Sequence, residues 1–281
     1  MPSVKPLTCV AIGVLMAIGA LTISHSARAD RLGDIKARGT LICGTQSSSV
    51  PYAYQDPNTR AFVGYDVDIC KALAKGLGVA LEHRPLSTEA RIPELKLGRV
   101  DVVAGSMAYL PERAAQVDFS LQYLQGKIKV LVRESSGINT FADLKDKRVC
   151  ASKGSSSAAI AERALSSSRV MTFQDVAACN LALQSGKVEA FTAGELVLKR
   201  FFVDSRKSSD PYRLLEEATA IERIGIVADK GNSGLLAAVN DVLRKMDADG
   251  ELDTIFDQWM GKNSIYGLTR SFKVEPVDQA M

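Results

Sequence analysis

The stretch from residue 91 to residue 120, RIPELKLGRVDVVAGSMAYLPERAAQVDFS, decides the fold. Ile92, Leu95 and Leu97 are spaced for a short helix that stops at Gly98. Val100 to Ala104 reads as a strand that is apolar on both faces after Asp101, the pattern of a buried parallel strand. Gly105-Ser106 follows, then a polar turn that ends in Pro111-Glu112-Arg113. Open α/β sheets bind ligands in the crevice beyond the carboxyl ends of their strands, so an arginine just past such an end can face a ligand. The planar guanidinium matches a carboxylate through two parallel hydrogen bonds. Ser106 and backbone N–H groups of the turn would complete an anion cradle around Arg113. The competing reading is a surface arginine paired with Glu112 or Asp118.

The same strand–helix rhythm extends in both directions. Upstream, Leu41 to Cys43 is a strand. Asp66 then looks like a helix N-cap, Val67, Cys70, Leu73, Ala74 and Leu77 recur at helical spacing, and Gly78 closes the helix. Val79 to His83 is the next strand. Downstream, strands at Arg148 to Ala151, Val170 to Phe173 and Val188 to Thr192 alternate with helices at Ala158 to Leu165, Val176 to Leu183 and Leu196 to Phe202. Strands in this β-α-β order imply parallel pairing with helices over both faces, and two such rounds imply two α/β lobes with a cleft between them as the binding site. A helix from Asn232 to Met246 and a shorter one carrying Leu252, Ile255, Phe256 and Trp259 follow. The tail after Lys262 has no helical pattern and reads as an irregular strap or a loose end.

Composition narrows the function. The 281 residues are 46% hydrophobic and 24% charged, as in an ordinary globular protein. Lys5, the uncharged apolar run Val10 to Ile23 and the small-x-small triplet Ala27-Arg28-Ala29 make residues 1–29 a secretory signal peptide, cleaved before Asp30. The run is shorter than the roughly 20 residues a membrane span needs. Removing Lys5 and Arg28 from 35 basic residues leaves 33 against 32 acidic ones, without the basic surface that nucleic acid requires. Of the two histidines only His83 survives cleavage. It lies in a strand, no G-x-S-x-G is present, and a Ser-His-Asp triad is not expected. Asp66/Asp68 and Glu216/Glu217 read as a helix cap and a solvated loop rather than paired catalytic acids. Cys43, Cys70, Cys150 and Cys179 permit three disulfide pairings in an oxidising compartment; their grouping favours pairing within each region, with four buried thiols as the alternative. Lys153-Gly154-Ser155-Ser156-Ser157, between a strand and a helix, offers free N–H groups and hydroxyls to an anion, or plain capping by Ser156 or Ser157. It lacks the ending of a P-loop.

These runs, together with FVGYDVDICKALAKGLGV (62–79), TFADLKDKRV (140–149) and ASKGSSS (151–157), resemble the polar amino-acid family of periplasmic solute-binding proteins, family 3, the receptors of ATP-driven importers. The likeness runs from about Arg31 to Trp259 and is nearest to the glutamate/aspartate-binding branch, because Arg91 opens the R-I-P motif. It implies two α/β lobes, each a mainly parallel sheet flanked by helices, joined by two crossing hinge strands. Lobe 1 would comprise residues 30–127 and 225–281, and lobe 2 residues 128–224. By the same resemblance Arg113 grips the ligand's α-carboxylate, with Ser106 beside it and Ser155 and Ser156 across the cleft. Tyr52 forms an aromatic wall, and Arg91 meets a side-chain carboxylate.

Departures from the family pattern bear on the ligand. Gly194 stands where the family carries the aspartate that holds the ligand's ammonium, and Glu195 follows it. Gln46 replaces an arginine of the acidic branch, Val176 a histidine, and Ala108 a hydroxyl residue. The expectation is therefore a monomeric, periplasmic receptor that captures a small carboxylate-bearing solute, a polar or acidic amino acid, and hands it to the membrane permease of an ABC importer. No cofactor, metal or catalysis is expected. Two alternatives are a receptor for a non-amino organic acid or dicarboxylate, and a dehydratase resembling cyclohexadienyl dehydratase, with Glu195 as its acid.

Overall fold

A computed structural model describes residues 1–2 and 31–278. The expected signal peptide lies outside the described residues, save for its first two. The chain begins with α1 (Arg31–Arg38), β1 (Thr40–Gln46), β2 (Ser48–Ser49), β3 (Ala53–Gln55) and β4 (Phe62–Val63). It continues through α2 (Tyr65–Leu77), β5 (Ala80–Leu86), α3 (Arg91–Lys96), β6 (Val102–Ala108), α4 (Pro111–Ala114) and the long strand β7 (Val117–Arg133). Then come β8 (Arg148–Ser152), α5 (Ser156–Ala164), β9 (Arg169–Phe173), α6 (Val176–Gln184), β10 (Ala190–Gly194) and α7 (Glu195–Ser205). The last elements are β11 (Tyr212–Leu214), β12 (Ala220–Asp229), α8 (Ser233–Ala248) and α9 (Glu251–Met260).

One nine-stranded sheet runs through the molecule in the order β5-β1-β6-β12-β7-β10-β8-β9, with β11 pairing on β7. β5, β1 and β6 pair in parallel, as do β10, β8 and β9. Between these wings β12 and β7 run antiparallel to each other and to their outer neighbours. Each wing thus has the parallel pairing the β-α-β rhythm implies, and helices flank it. The 17-residue β7 pairs with β12 through its first part and with β10 through its last. The register of β12 on β7 slips between Ile224 and Gly225.

Local chemistry explains the element ends, with some corrections. Asp66 is not the cap of α2. The capping position is Gly64, at φ 136°, where a Cβ would lie 2.2 Å from the Tyr52 carbonyl oxygen, so only glycine fits. Asp66 is instead buried in the first turn. Gly78 ends α2 in the left-handed conformation, as expected. The cap of α5 is Ser155, whose Oγ accepts from Ala158 N–H at 3.1 Å, rather than Ser156 or Ser157. β10 sits two residues further along than the apolar run suggested, so Gly194 is its last residue and Glu195 opens α7.

Cysteines pair within each region: Cys43–Cys70 ties β1 to α2, and Cys150–Cys179 ties β8 to α6. The tail is a strap. Tyr266, Phe272 and Val277 are buried, Gln122 N–H donates to the Glu275 carbonyl at 2.8 Å, and Arg270 pairs with Asp247 and Asp253. No helix among the described residues is long and apolar enough to cross a membrane.

Candidate functional site

A cavity of about 70 Å³ lies where the two wings meet. Gln46, at the end of β1, and Ser106, near the end of β6, line it from one side; Ser152, at the end of β8, and Gly194, at the end of β10, line it from the other. Parallel strands present their carboxyl ends to a common crevice, which is why polar residues from four strands converge here. Ser49, Tyr52, Thr88, Arg91, Ser155, Ser156, Ser157 and Val176 complete the walls, and Glu222 and Ile224 of β12 belong to the same lining.

Ser106 sits at φ 51°, an uncommon left-handed conformation for a non-glycine residue. A buried network holds it there. Its Oγ donates to Asp66 Oδ2 at 3.0 Å, its N–H donates to Tyr123 Oη at 3.1 Å, and Tyr123 Oη donates to Asp66 Oδ1 at 2.7 Å. Burial pushes the Asp66 carboxyl up to about 7, against the opposing pull of the Tyr123 and Ser106 hydrogen bonds and of the Arg91 charge.

Arg91 is 2% exposed and Arg113 7% exposed. Arg91 donates from Nε to the Thr88 carbonyl at 2.8 Å and from Nη1 to the Gly105 carbonyl at 2.5 Å; its Nη2 reaches the Gly154 carbonyl at 3.5 Å. Arg113 donates from Nη1 to the Ala108 carbonyl at 3.0 Å and from Nη2 to the Gly154 carbonyl at 3.1 Å. Both arginines therefore bridge the two wings through Gly154. Neither has a carboxylate within 4 Å among the described residues. Desolvation lowers both guanidinium pKa values, that of Arg91 to about 9 with the Arg113 charge adding to the effect, so Arg91 stays charged at neutral pH. Arg113 is a buried bridging group, not the surface arginine paired with Glu112 or Asp118 of the competing reading. It stands behind the lining rather than in it, while Arg91 lines the cavity directly.

Across the junction, Ser155 and Ser156 both line the cavity. Ser155 spends its Oγ on capping α5 and on Ser157 Oγ at 2.9 Å. Ser156 bonds through its side chain to Glu222. Tyr52 is 5% exposed and separates this cavity from a second one of about 280 Å³, lined in part by Glu195, Lys127 and Phe272. A Cβ on Gly194 would meet only Tyr52 Oη, at 3.8 Å.

Glu195 is not part of the lining that Gly194 shares with Arg91. Glu195 lines the second cavity and pairs with Lys129 at 3.4 Å; adjacent residues at a strand end point in different directions, so a one-residue shift carries the carboxylate from the first cavity to the second. His83, in β5, shares a hydrogen bond with Thr45 Oγ1 at 2.7 Å. Gln46 and Val176, two of the departures from the family pattern, do line the cavity.

Sequence reading missed Glu222. This acid on β12 lies in the lining, and among the described residues it is the only carboxylate there. Burial raises its pKa, opposed by the Ser156 hydroxyl and by the charges of Arg113 and Arg91. The signal available was a charged residue two positions from Ile224 in a strand that turns apolar from Ile224 onward.

A sequence model of the bacterial extracellular solute-binding proteins, family 3, matches residues 41–262. A glutamine-binding protein of an ABC transporter from Bacillus subtilis (strain 168) is 30% identical over 84% of this chain and 87% of its own length. The glutamate/aspartate import solute-binding protein of Escherichia coli (strain K12) is 26% identical over 93% of this chain and 89% of its own, so identity does not single out the acidic branch. Among solved structures, an ancestral amino acid-binding protein described as a precursor of cyclohexadienyl dehydratase superposes with a TM-score of 0.72 at 31% identity, covering 81% of this chain and 98% of that one. The chain belongs to the bacterial extracellular solute-binding proteins of family 3.

Proposed function

We propose that the protein captures an amino acid in the cleft between two lobes and delivers it to the membrane permease of an ABC importer. One observation carries this reading. Two buried guanidiniums, Arg91 and Arg113, sit at the junction of the wings with carbonyl partners only, and each keeps N–H donors for an incoming carboxylate. Arg113 grips the α-carboxylate with Ser106 beside it, and Ser155 and Ser156 close on it from the other lobe. Arg91 contributes a second positive charge and Tyr52 a wall.

In this reading lobe 1 comprises residues 30–127 and 225–281, lobe 2 residues 128–224, and β7 and β12 act as the hinge. The register slip of β12 between Ile224 and Gly225 coincides with the second boundary and supports it. The chain is exported, cleaved near Ala29, and works as a monomer in the periplasm. We assign no catalytic step to this function; Glu195, the acid suggested for a dehydratase, pairs with Lys129 at 3.4 Å.

A thermal-shift screen of the mature protein against the common L-amino acids and dicarboxylates tests the proposal. A ligand at 100 times its dissociation constant stabilises by about 2.7 kcal/mol, a readily measured rise in Tm. Arg113→Ala should abolish the rise. A full response by that variant would remove Arg113 from the site, and the absence of a shift with every amino acid would refute the function.

A further inference from the structure

We propose that Glu222, on the crossing strand β12, is the residue that holds the ligand's ammonium group, in place of the acid missing at Gly194. The inference rests on the amino-acid reading above and adds the group that makes an amine part of the recognised ligand.

Three observations carry it. First, Glu222 is the only carboxylate in the cavity lining among the described residues. Asp66 has both oxygens taken by Ser106 and Tyr123, and Glu195 faces another cavity. Second, the Oε1 atom of Glu222 is buried and has no hydrogen-bond partner among the described residues. The Oγ atom of Ser152, in the same lining, is buried and unpartnered as well. An unmade hydrogen bond to a buried acceptor is costly, and an ammonium group with three N–H donors would satisfy both. Third, neither Arg91 nor Arg113 contacts Glu222 within 4 Å, so the carboxylate is not consumed by an internal ion pair. Ser156 orients it from α5.

A site with two guanidiniums and one carboxylate offers charges of both signs, which suits a zwitterion. The arrangement also separates amino acids from plain organic acids. An amino acid places an ammonium on Glu222, whereas an acid without the amine leaves that carboxylate desolvated beside a second anion, a penalty built into the cleft.

The test uses the mature protein and matched probes. The amino acid giving the largest thermal shift is compared by calorimetric titration with its desamino counterpart, in which hydrogen replaces the amine. Wild type should prefer the amino acid. Glu222→Gln should weaken it by about 10- to 150-fold, the range of a charge-assisted hydrogen bond, and bind the desamino acid as tightly as wild type or more tightly. Glu222→Asp, which keeps the charge, should retain the preference for the amine. Glu222→Gln binding the amino acid within threefold of wild type would overturn the assignment, as would an equal loss with both probes, which would mark a merely structural role. Equal binding of the two probes by Glu222→Asp would count against it too. A wild-type protein that binds only the desamino acid would refute the amino-acid reading itself, and this inference with it.

Discussion

A Cβ placed on Gly154 would lie 2.9 Å from Glu89 Cα, so the two wings of the protein touch backbone against backbone at this pair. Gly154 also lends its carbonyl to both cleft arginines, and Lys153 pairs with Glu89 at 2.9 Å beside it. The proposed closure of the cleft requires this close approach, because two Cα-centred groups can come so near only when one lacks a side chain.

Gly154→Ala should therefore hold the lobes apart. The expected result is a fall in ligand affinity of about tenfold or more, the equivalent of some 1.4 kcal/mol withheld from the closed state. Gly154 has φ 72°, so alanine there also strains the backbone. Gly78→Ala is the control, since Gly78 has φ 67° and open space around its would-be Cβ. It should cost stability by roughly 1–2 kcal/mol while leaving affinity unchanged. Calorimetric titration and thermal melts of both variants check this.

Asp66 should make stability depend on pH. Its carboxyl is pushed from 3.8 up to about 7, so the folded state keeps a proton that the unfolded chain releases. Stability then falls as pH rises from about 4 to about 7, by up to roughly 1.3 kcal/mol per pH unit, and levels off above. Asp66→Asn should flatten that slope. Chemical denaturation of both proteins across this range is the measurement, and an identical slope in the variant would refute the assignment.

Replacing Cys150 and Cys179 together by alanine should lower stability by about 3 kcal/mol, the usual cost of opening a loop of this size. The bond ties α6, which carries Val176 into the cavity wall, to β8, which carries Ser152. A thermal melt reads the loss of stability, and a titration of the folded variant should show weaker ligand binding.

Glu195→Gln should leave ligand affinity within twofold of wild type, because the carboxylate pairs with Lys129 on the far side of Tyr52. Neither protein should turn over prephenate or arogenate. A large loss of binding in this variant would return Glu195 to the cleft.

Much of the fold was legible because periodicity and punctuation survive in one dimension. The stripe Val67, Cys70, Leu73, Leu77 with Gly78 behind it marked α2, and the all-apolar run after Asp101 marked β6 as a doubly covered strand. Two errors came from local cues that tertiary contacts override. Asp66 looks like a cap, yet the close approach of Gly64 to the Tyr52 carbonyl sets the helix start and leaves Asp66 to anchor Ser106 from below. Ser156 and Ser157 looked like the caps, and only the turn geometry selects Ser155 instead.

For the site, Arg113 and Ser106 could be named from their place after a strand end and Arg91 from the family resemblance, and Glu222 could not. The two-residue alternation of β12 puts Glu222 and Ile224 on one face, and the sequence determines that much. Which face looks into the cleft depends on β6 and β7 flanking the strand and on the opposite wing folding over it. By itself, then, the order of residues determined the family, the alternation of strands and helices, and the positive charge of the site. Only the tertiary structure decided which of two acids, Glu195 or Glu222, shares a cavity with Arg91, because a side chain's direction is local while the wall it faces comes from residues far away in the chain.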